Sequence, residues 1–440
     1  MRANSTLAKA VRFALISGAA TAALTTSIVY AAEDGAKVER IEVTGSRIKQ
    51  VDMETVSPVT VINAADIAMT GEKTVADVLN NSAINSFGSW RGVSGYGSGA
   101  SSTSSVNLRG LGSSATLVLL DGRRMPGTSS SSGSVADTSS IPMAIVERIE
   151  ILRDGASAVY GSDAVAGVIN IITKKEFDGL QLDYSTEQPS VEGGDANRLS
   201  IATGYNTDKG NITLTYEYYD TKAVMDRDIW NMDDPSYATY SGFSSVPNGK
   251  YGTGNGSWYS NSDICDQTEN TVDTTDGNNK GRCLYDSGRV TKLFGDQTRN
   301  SFLSNFTYEI TDGIQFRGRA SASLAETETR YAGTPVSTNY PVMSADNKFN
   351  PVGEDMTLYM RSAQIGERDT LTETNNVDIL GGFIGTLDLG NGIDWELNAQ
   401  HSRSTTNSFN YNLINDFTVF LILFYGVLLV LLNEYHDFFY

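Results

Sequence analysis

Histidine and cysteine are nearly absent from this chain, with two of each among 440 residues, and there are only nine prolines. Two cysteines cannot build a disulfide scaffold or a four-cysteine zinc site. Two histidines, His401 and His436, leave little for metal or acid–base chemistry near neutral pH, so an enzyme built on histidine is all but excluded and neither cofactor nor metal is expected. Positive charge is also scarce: 33 Lys and Arg stand against 52 Asp and Glu, a net charge of −19. A surface of that sign repels phosphate backbones, which argues against nucleic acid as a partner. What the chain does hold is 42 glycines and 21 tyrosines, which suit a strand-and-turn protein better than a helical one. Its 40% hydrophobic content is ample for a core.

The first residues read as an address. Arg2, Lys9 and Arg12 form a basic start, Phe13 to Val29 is a mostly apolar run, and Val29-Tyr30-Ala31 offers a small residue for cleavage ahead of Glu33 and Asp34. That order is a secretory signal peptide over 1–31, exported through the Sec pathway. A membrane-anchoring helix is the rival, but the run is interrupted and short of the roughly 20 apolar residues a span needs. Export permits a disulfide between Cys265 and Cys283.

Three kinds of grammar follow the leader. Residues 32–50 form a short N-terminal segment, and 51–177 read as a small α+β domain. Val59–Ile62 is a strand candidate, Asn63 can cap a helix over Ala64–Met69 that Gly71 ends, and Thr74 with Asp77 opens a second helix over Val75–Leu79. Ala115–Leu120 runs into the hairpin signal Asp121-Gly122. Arg148–Arg153 and Gly167–Thr173 supply two more strands, while 86–105 and 127–140 are Ser/Gly-rich loops with little to bury.

From 178 to 415 the hydrophobic period becomes two. Ile212, Leu214, Tyr216 and Tyr218 interleave with Asn211, Thr213, Thr215 and Glu217; Phe316, Ala320 and Leu324 interleave with Arg317, Arg319 and Ser323; Trp395 and Leu397 interleave with Glu396 and Asn398. A transmembrane barrel and a soluble β-sandwich both show this alternation. The connections separate them. Seven strands are expected near 180–187, 198–206, 211–222, 298–310, 314–330, 371–389 and 393–409. Tight turns at 206–210, 311–313 and 390–392 alternate strictly with the long stretches 188–197, 223–297 and 331–370. Turns on one side and long loops on the other is outer-membrane barrel anatomy. Residues 416–440 break the pattern: Phe417–Leu432 lacks both charge and alternation, and we read it as a disrupted frame or premature end. The fold class expected is an α+β domain followed by antiparallel transmembrane strands of an incomplete β-barrel.

Asn107-Leu108-Arg109-Gly110, Val118–Arg123 with its Asp121, Gly122 and Arg123, and the run Ile141–Lys175 resemble the TonB-dependent receptors, in which an N-terminal plug fills a large barrel. Within that run the matching positions are Glu147, Arg148, Glu150, Arg153, Tyr160, Gly161, Asp163, Gly167 and Asn170. The resemblance covers about residues 38–177 and implies a plug; the family's barrel has 22 strands, so seven imply a truncated form. It further implies energised uptake of a scarce nutrient (a siderophore, cobalamin, an oligosaccharide or a peptide) across the outer membrane. The partners would be the TonB–ExbB–ExbD complex, outer-membrane lipid and a small-molecule ligand, with no covalent chemistry. A non-transporting receptor or adhesin on a small barrel would need neither plug nor coupling segment, and a soluble periplasmic binding module would not sort its loops.

Ile41-Glu42-Val43-Thr44-Gly45 resembles the family's TonB box, and its strand formers suit addition as an edge strand to a partner's sheet; an ordinary first plug strand is the alternative. Glu147, Arg148, Glu150 and Arg153 are expected to meet charges of the barrel wall in wet, breakable pairs, with a plain solvated charged face as the alternative, and Gly155, Gly161 and Gly167 to serve tight turns and close packing. Trp90, Arg91 and Tyr96 in the apex loop are candidate substrate contacts. Gly95–Gly99 lacks the preceding strand of a nucleotide loop. Asp263, Asp266, Glu269, Asp273 and Asp276 lack EF-hand spacing and read as a solvated loop. Cys265 and Cys283 would close a ring in that loop, stabilising it by about 3 kcal/mol.

Overall fold

A computed structural model describes residues 59–413 apart from 73, 83–84, 86–102, 131–132, 154, 230–239, 246–247, 253–256, 261–264, 266–270, 275–281, 337–341, 363–364 and 388–392. The leader, the Ile41–Gly45 segment, the candidate contacts Trp90, Arg91 and Tyr96, most of the acidic loop cluster and the hydrophobic tail lie outside the described residues.

The N-terminal domain contains β1 (Val59–Asn63), α1 (Ala64–Thr70), α2 (Val75–Asn80), β2 (Thr116–Leu120), β3 (Arg123–Arg124), β4 (Gly127–Ser130), β5 (Gly133–Ala136), β6 (Val146–Leu152), α3 (Ser157–Tyr160) and β7 (Gly167–Thr173). Both longer helices start at side-chain caps. The Asp66 carboxylate accepts from the Asn63 amide at 3.1 Å, and Gly71 closes α1 with φ +71°. Thr74 Oγ1 accepts from the Asp77 amide at 3.1 Å and donates to its carboxylate at 2.7 Å, so the shorter Asp serves where a Glu would reach the cap backbone.

The central sheet runs β1-β6-β7-β2-β3, with β2 and β7 parallel and the other neighbours antiparallel. Both its faces pack into buried clusters, which is why Leu117–Leu120 is a continuous apolar run and Val168–Ile172 is broken only by Asn170. Val118, Leu120, Ile149, Ile151, Ile169 and Ile171 face one buried cluster, and Leu117, Leu119, Leu152 and Val168 face the other. Asp121 and Gly122 both have positive φ, the conformation of the tight turn that joins β2 to β3. Gly167 has φ +140°, and a Cβ there would meet the Leu152 carbonyl oxygen at 2.6 Å. Gly167→Ala is therefore expected to cost about 1–3 kcal/mol in backbone strain, read as a lower thermal midpoint of the full chain; an unchanged midpoint would show that β6 and β7 can separate freely.

The Ser/Gly-rich stretches are more structured than their composition suggests. β4 (Gly127–Ser130) pairs antiparallel with β5 (Gly133–Ala136), and Thr103 to Asn107 are buried. Asp137, 2% exposed, organises them: its carboxylate accepts from the Ser104 amide at 2.9 Å and the Ser139 amide at 3.2 Å. Hydroxyl and main-chain groups can be buried here because they are paired.

The rest of the chain supplies β8 (Gly179–Glu187), β9 (Ala196–Thr207), β10 (Gly210–Thr221), β11 (Val224–Met225), β12 (Tyr240–Ser241), β13 (Asn248–Tyr251), β14 (Ser257–Tyr259), β15 (Thr271–Thr274), β16 (Arg282–Asp286), β17 (Lys292–Phe294), β18 (Asp296–Thr311), β19 (Ile314–Tyr331), β20 (Val342–Met343), β21 (Met356–Tyr359), β22 (Arg368–Leu387) and β23 (Ile393–Asn410). Seven of these form one antiparallel sheet, ordered β8-β9-β10-β18-β19-β22-β23, and among the described residues it does not close on itself. The sheet is inside-out relative to a soluble sandwich. Leu180, Leu182, Tyr184, Ile212, Leu214, Phe306, Ile379 and Leu397 are exposed, whereas Thr213, Thr215, Glu217, Ser301, Thr327, Thr374 and Asp378 on the other face are buried. Phe306, Tyr308, Phe316 and Phe383 gather on the outer face near the tight Asp312-Gly313 turn, with neighbouring ring centroids 5.3–6.4 Å apart. Apolar side out with aromatics near one rim is the pattern of a wall that faces hydrocarbon.

Candidate functional site

Within the N-terminal domain, the motif residues are hydrogen-bond partners of one another. The Asp121 carboxylate accepts from the Thr173 amide at 2.9 Å and hydroxyl at 2.8 Å. Asn170 Oδ1 accepts from the Gly122 amide at 2.9 Å. Arg124 pairs with Asp163 and donates to the Tyr160 carbonyl, beside Gly161. That contact, and a further hydrogen bond from Ser162, hold the exposed Asp163 carboxyl below its ordinary range. Asn107 Oδ1 accepts from the Gly112 amide at 2.7 Å, while Arg109 (φ +57°) and Gly110 (φ +71°) turn the chain so that the Arg109 guanidinium reaches the Val165 carbonyl at 2.9 Å. The motifs are thus one knot of polar side chains satisfying the main chain of distant turns.

One group behaves differently from expectation. Arg148 pairs with Glu147 and with Glu150 (2.9 Å) inside β6, and Glu150 is fully buried rather than wet. Residues 148 and 150 share a strand face, which brings the two charges together within β6. Arg153 is exposed.

Residues 51–168 match the family model for the TonB-dependent receptor plug domain. Over those residues the chain is similar to that plug. It is also similar to a variant of the ferric enterobactin receptor from Pseudomonas aeruginosa, at 19% identity over 80% of this chain and 41% of that one, with a TM-score of 0.44. The ferric preacinetobactin receptor from Acinetobacter baumannii is 13% identical over 82% and 49%, with a TM-score of 0.44. The siderophore receptor PiuA from the same organism is 17% identical over 81% and 46%, with a TM-score of 0.41. The chain spans less than half the length of each of these receptors.

The wall holds the plug by main-chain and side-chain atoms alike. Arg299 of β18 donates to the Ser139 carbonyl at 2.7 Å, and Glu217 of β10 accepts from the Met143 amide at 3.0 Å, so the segment 139–143 is held from both sides of its peptide groups. Arg319 of β19 donates to the Leu120 carbonyl at 2.6 Å while pairing with Asp378 of β22 at 3.0 Å; both side chains are at most 3% exposed. Asn305 donates to the Thr173 hydroxyl at 2.9 Å, Gln400 donates to the Arg124 carbonyl at 3.1 Å, and Glu396 of β23 pairs with Arg123. Ser404 Oγ lies 3.2 Å from Thr128 Oγ1. The Asp121-Gly122 turn and its flanks are therefore clamped from β18, β19 and β23. A gap between plug and wall, lined by Arg319, Asp378, Asn376, Ser321, Ser323 and Met125, borders this clamp.

Reading motifs found the plug residues but not these wall residues. Their one signal is position: Glu217 and Arg319 occupy the polar half of the alternation, where a charge facing a packed domain needs a partner. No motif could nominate the main-chain atoms they hold.

Proposed function

We propose that this protein acts as an outer-membrane receptor that moves a small, scarce nutrient inward, energised through the TonB complex acting at Ile41–Gly45. The observation that carries the reading is the clamp: a plug domain lies against the polar face of an inside-out sheet and is held by hydrogen bonds from wall side chains to plug main chain. Each such bond contributes about 1.5–3 kcal/mol when one partner is charged, so the set is reversible under a directed pull. Asp378 also accepts from Gln400 and Ser402, both at 2.7 Å, so Arg319 and Asp378 keep partners within the wall when the plug shifts. Release then leaves neither Arg319 nor Asp378 buried without a partner, which would otherwise be a costly step. Siderophores, cobalamin, oligosaccharides and peptides all remain candidate cargo.

A reversible tether tests the movement. Thr128→Cys with Ser404→Cys should form a plug-to-wall disulfide, given the close approach of the two hydroxyls. In cells given labelled ferric siderophores, cobalamin and oligosaccharides, the tethered protein should keep surface binding of whichever probe the parent takes up. It should lose uptake, and a reductant should restore it. Undiminished uptake by a fully oxidised tether would overturn the reading that this part of the plug shifts.

A further inference from the structure

Every second residue of a strand faces the same way, so each wall strand carries an outward row of side chains in register with its neighbours. On β22 the outward apolar stretch runs through Phe383 and Ile379 to Val377 before it meets Asn375 and Glu373. On β19 it reaches Ala322 and Leu324 before Glu326. On β23 it stops sooner. Leu397 and Ala399 share the outer face with His401 and Arg403, which stand opposite Ile379 and Val377, and both are exposed. The stretch is shorter by two outward positions, or four residues, which is about 13 Å along a strand. A tilt of about 35–45° offsets one strand from the next by only about 3 Å, so tilt does not lift these two side chains clear of the apolar band.

A lipid-facing band about 25 Å tall takes roughly ten residues of a tilted strand. Counted from Ile393, at the tight-turn end of β23, that places Arg403 at the opposite rim and His401 one outward position beneath it. Tight turns mark the periplasmic side of an outer-membrane barrel, so the rim at Arg403 belongs to the outer leaflet. The charge has no partner within the sheet. Among the described residues no carboxylate pairs with Arg403: Asp378, next to Val377, points inward to Arg319, and the outward Glu373 stands opposite Asn407, four residues beyond Arg403. A guanidinium against acyl chains is costly unless an anion meets it.

We propose that this part of the outer wall is a binding site for the phosphate of an outer-leaflet lipid. Arg403 supplies the charged fork that a phosphate accepts, and the His401 imidazole adds an N–H donor beneath it. Val377 and Ile379, 43% and 55% exposed, offer an acyl chain a surface beside the charge. A cation set directly against a continuing apolar stretch suits an amphiphile, whereas a carboxylate from a protein partner needs no such flank. The site rests on the wall standing in a membrane and is independent of what the plug transports.

Native mass spectrometry on the full chain, extracted in detergent and offered bisphosphorylated lipid A, tests this. The parent should retain lipid A, and lipid A stripped of both phosphates should be held about tenfold more weakly. Arg403→Gln should weaken retention of the phosphorylated form by about the same factor, whereas Arg403→Lys, which keeps a charge, should retain most of it. Arg403 is exposed, so both variants should keep the parental thermal midpoint. Should the glutamine variant fail to fold, the two lipid forms on the parent still decide. Equal retention of stripped lipid A would overturn the proposal, as would undiminished retention by a folded Arg403→Gln. Inorganic phosphate should not displace the lipid; displacement would mean a site for a soluble anion instead. In cells, a photoreactive residue at Thr405, on the same face, should give an adduct with lipopolysaccharide, and an adduct with protein alone would overturn the lipid assignment.

Discussion

Arg319→Met is expected to destabilise the folded chain by about 3–5 kcal/mol, because it leaves Asp378 buried without its cation. Asp378 is 1% exposed and would retain only the neutral donors Gln400 and Ser402. The Leu120 carbonyl would lose its wall donor too, so amide exchange across residues 119–125 should quicken as the plug turn opens locally. Arg319→Met with Asp378→Leu separates the two effects. Removing both charges should recover most of the stability, since a buried pair can be replaced by apolar side chains at little cost. The rapid exchange at 119–125 should persist, because the hydrogen bond to the plug is still missing. Thermal unfolding and hydrogen exchange on the same samples measure both. A single mutant as stable as its parent would mean that water enters freely beside Arg319, and a double mutant with parental exchange would mean that the clamp does not depend on this contact.

Val43→Pro is expected to abolish energised uptake while leaving ligand binding at the cell surface intact. Proline removes one amide donor and fixes φ, which a strand added to a partner's sheet does not tolerate. Val43→Ile keeps the backbone and the strand propensity and should transport almost normally. Surface binding and uptake of the same labelled probe, measured in both variants of the full-length receptor, check this. If the proline variant transports like its parent, the segment is not the coupling strand. Loss of binding as well would make Val43 a structural part of the plug.

Much of the fold was legible because it is written in local chemistry. The expected strand near 211–222 is β10 at Gly210–Thr221, and the one near 314–330 is β19 at Ile314–Tyr331. A period of two and a turn residue at each end require nothing distant. The tight turn at Asp121-Gly122 and the caps at Asn63 and Thr74 belong to the same class. So does the sorting of short and long connections, which separated a barrel wall from a sandwich before any contact was known.

The clamp and the pairing of the long connectors were decided only by the tertiary structure. Arg299 and Arg319 bond to carbonyls 160 and 199 residues away, and Glu217 to an amide 74 residues away. Ser139, Leu120 and Met143 take part through peptide groups that every residue possesses, so their side chains announce nothing. Arg148 shows the converse: its charge is visible in the sequence and suggests a wall partner, but Glu150 two residues on lies nearer on the same strand face. Arg361 likewise sits in what reads as loop, and only the pairing of β13 with β21 brings Ser241, Phe243, Gly333 and Tyr285 around it. Periodicity and turn chemistry determine which residues form strands and which side each faces. Which main-chain atom a buried charge finds depends on how two separately patterned surfaces pack, and that is set by the whole fold.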